Sequence, residues 1–124
     1  MRPAMEKVNL AEKLSKFDDH WNPRLVANLD DYEVKLVRIA GDFVWHRHDA
    51  DDELFLVLKG RFRMDYRDRQ VEVGEGELIV VPKGVEHKPY ADKECQILLL
   101  ERRGVVNTGD AAEGELTRKT MERI

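Results

Sequence analysis

From Arg24 to Leu100 the chain is a succession of short runs with β character, each closed by a turn signal before a helix of ordinary length could form. The runs are Arg24–Leu29, Tyr32–Ala40, Phe43–His48, Glu53–Leu58, Arg61–Tyr66, Gln70–Val73, Glu77–Val81, His87–Ala91 and Glu94–Glu101. Between them stand Gly41-Asp42, Lys59-Gly60, Arg67-Asp68-Arg69, Gly74-Glu75-Gly76 and Pro82-Lys83-Gly84. These residues supply a positive φ, a preset φ, or a side chain that bonds its own backbone. Parallel strands would need a crossover of about a dozen residues between neighbours, and no such stretch exists here. The pattern predicts an antiparallel all-β sandwich or barrel.

Several runs are apolar on both faces. One alternation of the fourth run carries Glu53, Phe55 and Val57, and the other carries Leu54, Leu56 and Leu58; Leu78-Ile79-Val80-Val81 and Ile97-Leu98-Leu99-Leu100 behave likewise. A sheet wetted on one side would alternate with polar residues, so the outer face must also be covered. The segment before the strands is a candidate cover. Asn9 can cap a short N-terminal helix with Leu10, Leu14 and Phe17 on one face, and Trp21-Asn22-Pro23 then breaks it. The expected division is a helical covering segment over 1–23, a β-barrel over 24–101 and a polar C-terminal tail over 102–124. In that tail Thr117, Met121 and Ile124 line either a weak helix or a loose end.

Charge narrows the partners. A net charge of −4 and a pI near 5.6 argue against nucleic acid and anionic membrane, both of which demand surplus Lys and Arg. The single cysteine, Cys95, forms no internal disulfide. No apolar run approaches a membrane span, and no signal-peptide core is present, so a soluble cytoplasmic protein is expected.

Three of the four histidines stand in one pattern. His46 and His48 are two apart at the end of a run, so they share a face, with Cα atoms about 6–7 Å apart. Glu53 opens the next run in alternation with Phe55 and Val57, on a buried face, and His87 opens a later one after Pro82-Lys83-Gly84. Each alone reads as an ordinary surface or core residue. Together, three imidazoles and a carboxylate turned into one apolar interior are costly unless paired, and a divalent ion removes that cost. His20, beside Asp18-Asp19, reads as a surface residue.

The frame around these residues resembles a known family. Gly41-x4-His46-x-His48-x4-Glu53-x6-Gly60 is similar to the first signature of the cupin superfamily, and Gly76-x5-Pro82-x-Gly84-x2-His87 to the second. Fifteen residues separate Gly60 from Gly76, as in small single-domain cupins. The Tyr32–Gly60 segment and Val106-Asn107-Thr108-Gly109-Asp110 also resemble uncharacterised members grouped as mannose-6-phosphate-isomerase-like. The resemblance implies a double-stranded β-helix, the cupin barrel or jelly roll, with one divalent metal held by His46, His48, Glu53 and His87. It departs from the pattern in two places: the Gly41–His46 spacer is one residue short, and Ala91 replaces a frequent Asn. Neither removes a ligand.

Such a nitrogen–oxygen set suits iron, manganese, nickel, cobalt or zinc. The expected function is a metal-dependent enzyme of isomerase or oxygenase type acting on a small polar organic molecule in the barrel. The alternative is a non-catalytic, metal-anchored module that binds a sugar or effector. No general acid or base stands out, and Tyr90 points outward by alternation. Asp49–Glu53 lacks the frame of a calcium loop, Gly74-Glu75-Gly76 lacks the helix of a phosphate loop, and Cys95 reads as inert core. Lys88 points outward by alternation from His87. If His46 and His48 face inward as a regular strand, Val44 does too, while Phe43, Trp45 and Arg47 face out. With Leu54, Leu56 and Leu58 also outward, a homodimer is expected through Trp45 or the Leu54–Leu58 face.

Overall fold

The structure, a computed structural model, describes residues 5–124. Asn9 caps α1 (Leu10–Leu14), its side chain accepting from the Glu12 amide at 3.0 Å, as the sequence indicates. Seven strands follow: β1 (Arg24–Leu29), β2 (Tyr32–Asp42), β3 (Glu53–Lys59), β4 (Arg61–Tyr66), β5 (Gln70–Gly74), β6 (Leu78–Val81) and β7 (His87–Arg102). A two-residue β8 (Glu122–Arg123) ends the chain. Every pairing is antiparallel except that of β8, which lies parallel to β1. The antiparallel all-β architecture expected from the turn spacing is found, in the jelly-roll form that the resemblance implies.

β7 organises the barrel. Along one edge it pairs with β2 from Tyr32↔Arg102 to Asp42↔Tyr90; along the other it pairs first with β4 and then with β3. The expected runs His87–Ala91 and Glu94–Glu101 are therefore one sixteen-residue strand. The polar Asp92-Lys93-Glu94 between them is a bulge, where three residues of β7 face only Ala40 of β2. Pro89 stands opposite Met64 in this strand, and its carbonyl accepts from the Phe43 amide at 3.0 Å.

Two apolar clusters hold the fold. The inner one fills the barrel with Val37, Ile39, Phe55, Val57, Phe62, Met64, Ile97 and Leu99. The outer one lies beneath the N-terminal segment, where Leu14 and Phe17 cover Val26 and Leu36. Leu36 sits on the outer face of β2 and has no exposed surface, so that face is covered there, whereas Leu78 and Val80 on the outer face of β6 stay exposed. Full burial of side chains such as Leu14 and Phe17 stabilises by about 1.5–3 kcal/mol each. Cys95 is buried as expected, and burial, with the charge of Glu75 adding, pushes its thiol up to about 12.

Three expectations need correction. Phe43–His48 is not a strand; His46 makes only an isolated bridge to His87. The inward alternation of Val37 and Ile39 carries on through Gly41 to Phe43 and breaks between Phe43 and His46, which are three residues apart and both buried. Phe43 packs inward, stacked on Trp21 with ring centroids 4.7 Å apart, instead of facing out. Nor is the C-terminal region a helix or a loose tail. It returns to the barrel, where the Ile124 amide donates to Leu25 at 3.0 Å and the Ile124 side chain joins the outer cluster.

Candidate metal centre

His46 and His87 are forty-one residues apart and lie directly opposite each other. The His87 amide donates to the His46 carbonyl at 2.8 Å, and the His46 amide to the His87 carbonyl at 3.0 Å. Pro82-Lys83-Gly84 delivers the third element: the Gly84 amide, at a φ of +81°, donates to the His48 carbonyl at 2.8 Å. Glu53 enters from the first residue of β3, on the same face as Phe55 and Val57.

The same device fixes both outer imidazoles. His46 Nδ1 donates to the Val44 carbonyl at 2.8 Å and His87 Nδ1 to the Val85 carbonyl at 2.9 Å. A carbonyl only accepts, so the proton resides on Nδ1 and Nε2 keeps its lone pair for an ion. Burial, together with the field of His87, lowers His46 to about 4, so its imidazole is neutral near pH 7. Burial alone would raise Glu53, but the surrounding His48, His87 and Glu101 reverse that and hold its carboxyl below the usual range. The four candidate ligand atoms lie within 4.8 Å of one another, with His48 Nε2 and His87 Nε2 3.4 and 3.5 Å from Glu53 Oε1. Neighbouring donors around an ion at roughly 2.1 Å per bond are about 3 Å apart, so a small contraction closes the shell.

The donor atoms themselves supply the chemical test of fit. His48 Nε2, His87 Nε2 and Glu53 Oε1 are buried and have no hydrogen-bond partner. Orphaned buried polar atoms are rare because each costs about 1–3 kcal/mol. Three of them converging on one point fit a divalent cation.

Beside the ligands lies a cavity of about 40 Å³, walled by residues such as Trp21, Ile39, Phe43, Phe55, Ile97 and Leu99. The C-terminal segment forms another wall. Asn107 borders the cavity, and Gly109 lies against His46 and Arg47, where a Cβ would run into the Arg47 carbonyl and come within 3.1 Å of His46 Cδ2. Asp110 clamps this strap in place: its carboxylate accepts from the Arg47 amide at 2.7 Å, and its amide donates to the Arg47 carbonyl at 3.1 Å.

A second feature is absent from the sequence reading. Glu33, Glu101 and Glu53 occupy one cross-strand row on β2, β7 and β3, and all three are buried. Lys35 Nζ donates to Glu101 Oε1 at 2.8 Å and lies 3.6 Å from Glu33. Burial and the charge of Glu53 push the Glu101 carboxyl well above its ordinary value. Lys35 and Glu33 also border a second, more polar cavity of about 240 Å³, which shares Pro23 and Asn107 with the first. Strand alternation carried the signal for this row, since Glu33 and Lys35 keep step with Val37 and Ile39, and Glu101 with Ile97 and Leu99. Among the other candidates, Lys88 is bound at the surface to Asp42 at 2.5 Å and His20 to Glu94 at 2.8 Å, both away from the ligands.

Comparison with known proteins gives a consistent result. A family model described as "Cupin domain" matches residues 33–101, which span all four candidate ligands. A crystal structure of a cupin-2 domain containing protein from Shewanella frigidimarina superposes with a TM-score of 0.77 at 46% identity, covering 77% of this chain and 94% of that one. Protein NMB1881 from Neisseria meningitidis superposes at 0.73 with 32% identity, covering 78% and 99%. The uncharacterized protein YdbB of Bacillus subtilis is 33% identical over 64 residues, 51% of this chain and 57% of YdbB, so the match spans little more than half of that relative.

Proposed function

The chain belongs to the cupin domain family, and we propose that it is a small metal-dependent enzyme of oxygenase or isomerase type. In this reading one divalent transition-metal ion is held by His46, His48, Glu53 and His87, and a small organic molecule occupies the barrel beside it. The observation that carries the reading is the convergence of orphaned, buried donor atoms on one point. An ion bound there supplies Lewis acidity or the activation of water or oxygen. The chain's own contribution is to fix the imidazole tautomers through Val44 and Val85, exclude water with Trp21 and Phe43, and close the mouth with the strap.

The wall of the small cavity favours oxygenase chemistry over isomerase chemistry. Moving a proton on a substrate needs an acid or base within hydrogen-bond reach. Among the described residues, no titratable side chain other than the ligands borders that cavity. Lys35, the buried cation that a sugar phosphate would need, opens onto the neighbouring cavity instead. The same observation supports a second reading, non-catalytic capture of an effector by the ion.

Protein made in metal-replete medium is expected to carry about one transition-metal ion per chain by elemental analysis. A substoichiometric content that is unchanged in the His46→Ala/His87→Ala variant would overturn the ligand assignment. Turnover that requires both a ferrous ion and oxygen marks the oxygenase; turnover that survives without oxygen on zinc marks the isomerase. Saturable binding without turnover in either condition marks the capture module.

A homodimer is part of the proposal. Leu54 and Leu56 of β3 lie beside Val80 and Leu78 of β6 in register, and the latter two are exposed at 46% and 57%. Leu100 and Leu98 of β7 extend the same rows, and among the described residues the N-terminal segment packs as far as Leu98 and Leu58. Trp45 is already covered by the Arg67 guanidinium, 3.8 Å from its ring centroid, which leaves the β3–β6 face as the contact. Light scattering after size exclusion should give twice the chain mass, and Leu56→Glu/Val80→Glu should halve it. A monomeric wild-type mass excludes the interface.

A further inference from the structure

We infer that the site, on the reading that it holds a metal, takes small molecules with one monoanionic oxygen head group and an otherwise apolar body, and excludes sugars and phosphate esters. The wall decides this. Only two non-ligand polar side-chain groups border the cavity, and both are already committed within the protein. Asn107 Nδ2 donates to the Leu116 carbonyl at 2.8 Å, and its Oδ1 accepts from the Arg118 amide at 2.7 Å. The Trp21 indole donates to the Ala40 carbonyl at 2.8 Å. A ligand hydroxyl entering this space would lose its water and meet no partner.

The ligand set fixes the charge of the head group. Three neutral imidazoles and one carboxylate leave a divalent ion with one uncompensated positive charge. A carboxylate or enolate neutralises it. A phosphate monoester brings nearly two negative charges, and its surplus would sit in an apolar cavity with no cation on the wall to receive it. The nearest buried cation, Lys35, is held by Glu101 and Glu33 and borders the other cavity.

Size and shape complete the class. A cavity of about 40 Å³ has room for only a few waters, whereas an engineered cavity that accepts benzene is on the order of 150 Å³. The apolar body is therefore short. The cavity wall on one side is aromatic, Trp21 stacked on Phe43 and Phe43 edge-on to His46 at 5.3 Å between centroids.

The test uses the full chain loaded with cobalt, with metal content measured separately and binding read from the visible spectrum of the ion. The probes share one keto-acid head: pyruvate, 2-oxobutanoate, 2-oxopentanoate and 2-oxo-4,5-dihydroxypentanoate. Each added methylene is expected to tighten binding by about fourfold until the cavity is full. The dihydroxylated tail should bind roughly 100-fold more weakly than 2-oxopentanoate. Fructose 6-phosphate should leave the spectrum unchanged at millimolar concentration. Ile97→Asn, which places an amide in the wall, should narrow the gap between the matched pair about tenfold.

Normal cobalt uptake with no preference for the apolar tail, or with no response to any keto acid, overturns the inference and leaves the metal assignment standing. Binding of fructose 6-phosphate as tight as that of 2-oxopentanoate does the same. Failure to take up cobalt removes both.

Discussion

Replacing Lys35 with alanine is expected to destabilise the fold by about 3–5 kcal/mol, the range for breaking a buried ion pair from one side. Lys35 and Glu101 are exposed by only 3% and 2%, and the ammonium is the one cation placed among Glu33, Glu101 and Glu53. Without it, Glu101, whose carboxyl burial and the charge of Glu53 already push up, loses the cation that opposes that shift and holds its proton more firmly. A carboxyl whose folded pKa lies above its unfolded value binds a proton in the fold that the unfolded chain has already released. Stability from such a group is present at low pH and falls as pH rises. The loss in Lys35→Ala should therefore be greater in mildly alkaline than in mildly acidic buffer, measured by urea unfolding of the metal-free protein. Replacing both partners with apolar residues, Lys35→Met/Glu101→Leu, should recover most of the stability, because an apolar pair of similar volume is often neutral. Glu101→Gln keeps the shape, and its readout is metal affinity. Loss of an outer-shell carboxylate typically costs 10–100-fold, and equal affinity in wild type and variant would show that Glu101 does not orient Glu53.

The second large effect is expected at Gly109. A side chain there meets the Arg47 carbonyl, and the φ of +54° is unfavourable for a branched residue. Overpacking typically costs about 1–3 kcal/mol and the left-handed backbone about 1–2 kcal/mol. Gly109→Val should therefore detach the strap while the barrel stays folded. Hydrogen exchange should show faster exchange of the Arg47 and Asp110 amides, whose partners lie across that contact. Gly114→Ala is the control: a Cβ there meets nothing within 4 Å, and its effect should stay within about 0.5 kcal/mol. Unchanged exchange in Gly109→Val would mean that the strap seats without a glycine.

The strand runs were legible because their turn residues are local chemistry: Gly60, Gly76 and Gly84 all adopt positive φ. The buried cluster of His46, His48, Glu53 and His87 was legible from their spacing and from the resemblance of the glycine and proline frame around them. Alternation counted back from His46 and His48 assigned the inward Phe43 ring to the surface, because the chain between Phe43 and His46 is not a strand and loses the period there. It also divided β7 in two, because a bulge of Asp-Lys-Glu reads as a break when its partner strand is unknown. The strap was not legible. Its hold on the barrel depends on the Arg47 backbone, sixty-three residues from Asp110, and no local pattern announces so distant a partner. The buried row of Glu33, Lys35 and Glu101 was within reach of alternation, but charged residues in a strand invite a surface assignment until their neighbours are placed.

The strap also bears on how long a ligand stays. Segments from the two ends of the described chain, Trp21 and Pro23 on one side and Asn107 on the other, wall the small cavity. Lifting the strap would break both Arg47–Asp110 bonds and uncover that side of the cavity. Where a ligand leaves by that side, its residence time depends on the opening equilibrium as well as on the strength of contacts at the ion. Two ligands of equal affinity would leave at similar rates if each had to wait for the same door, and a loosened strap would shorten both stays by the same factor.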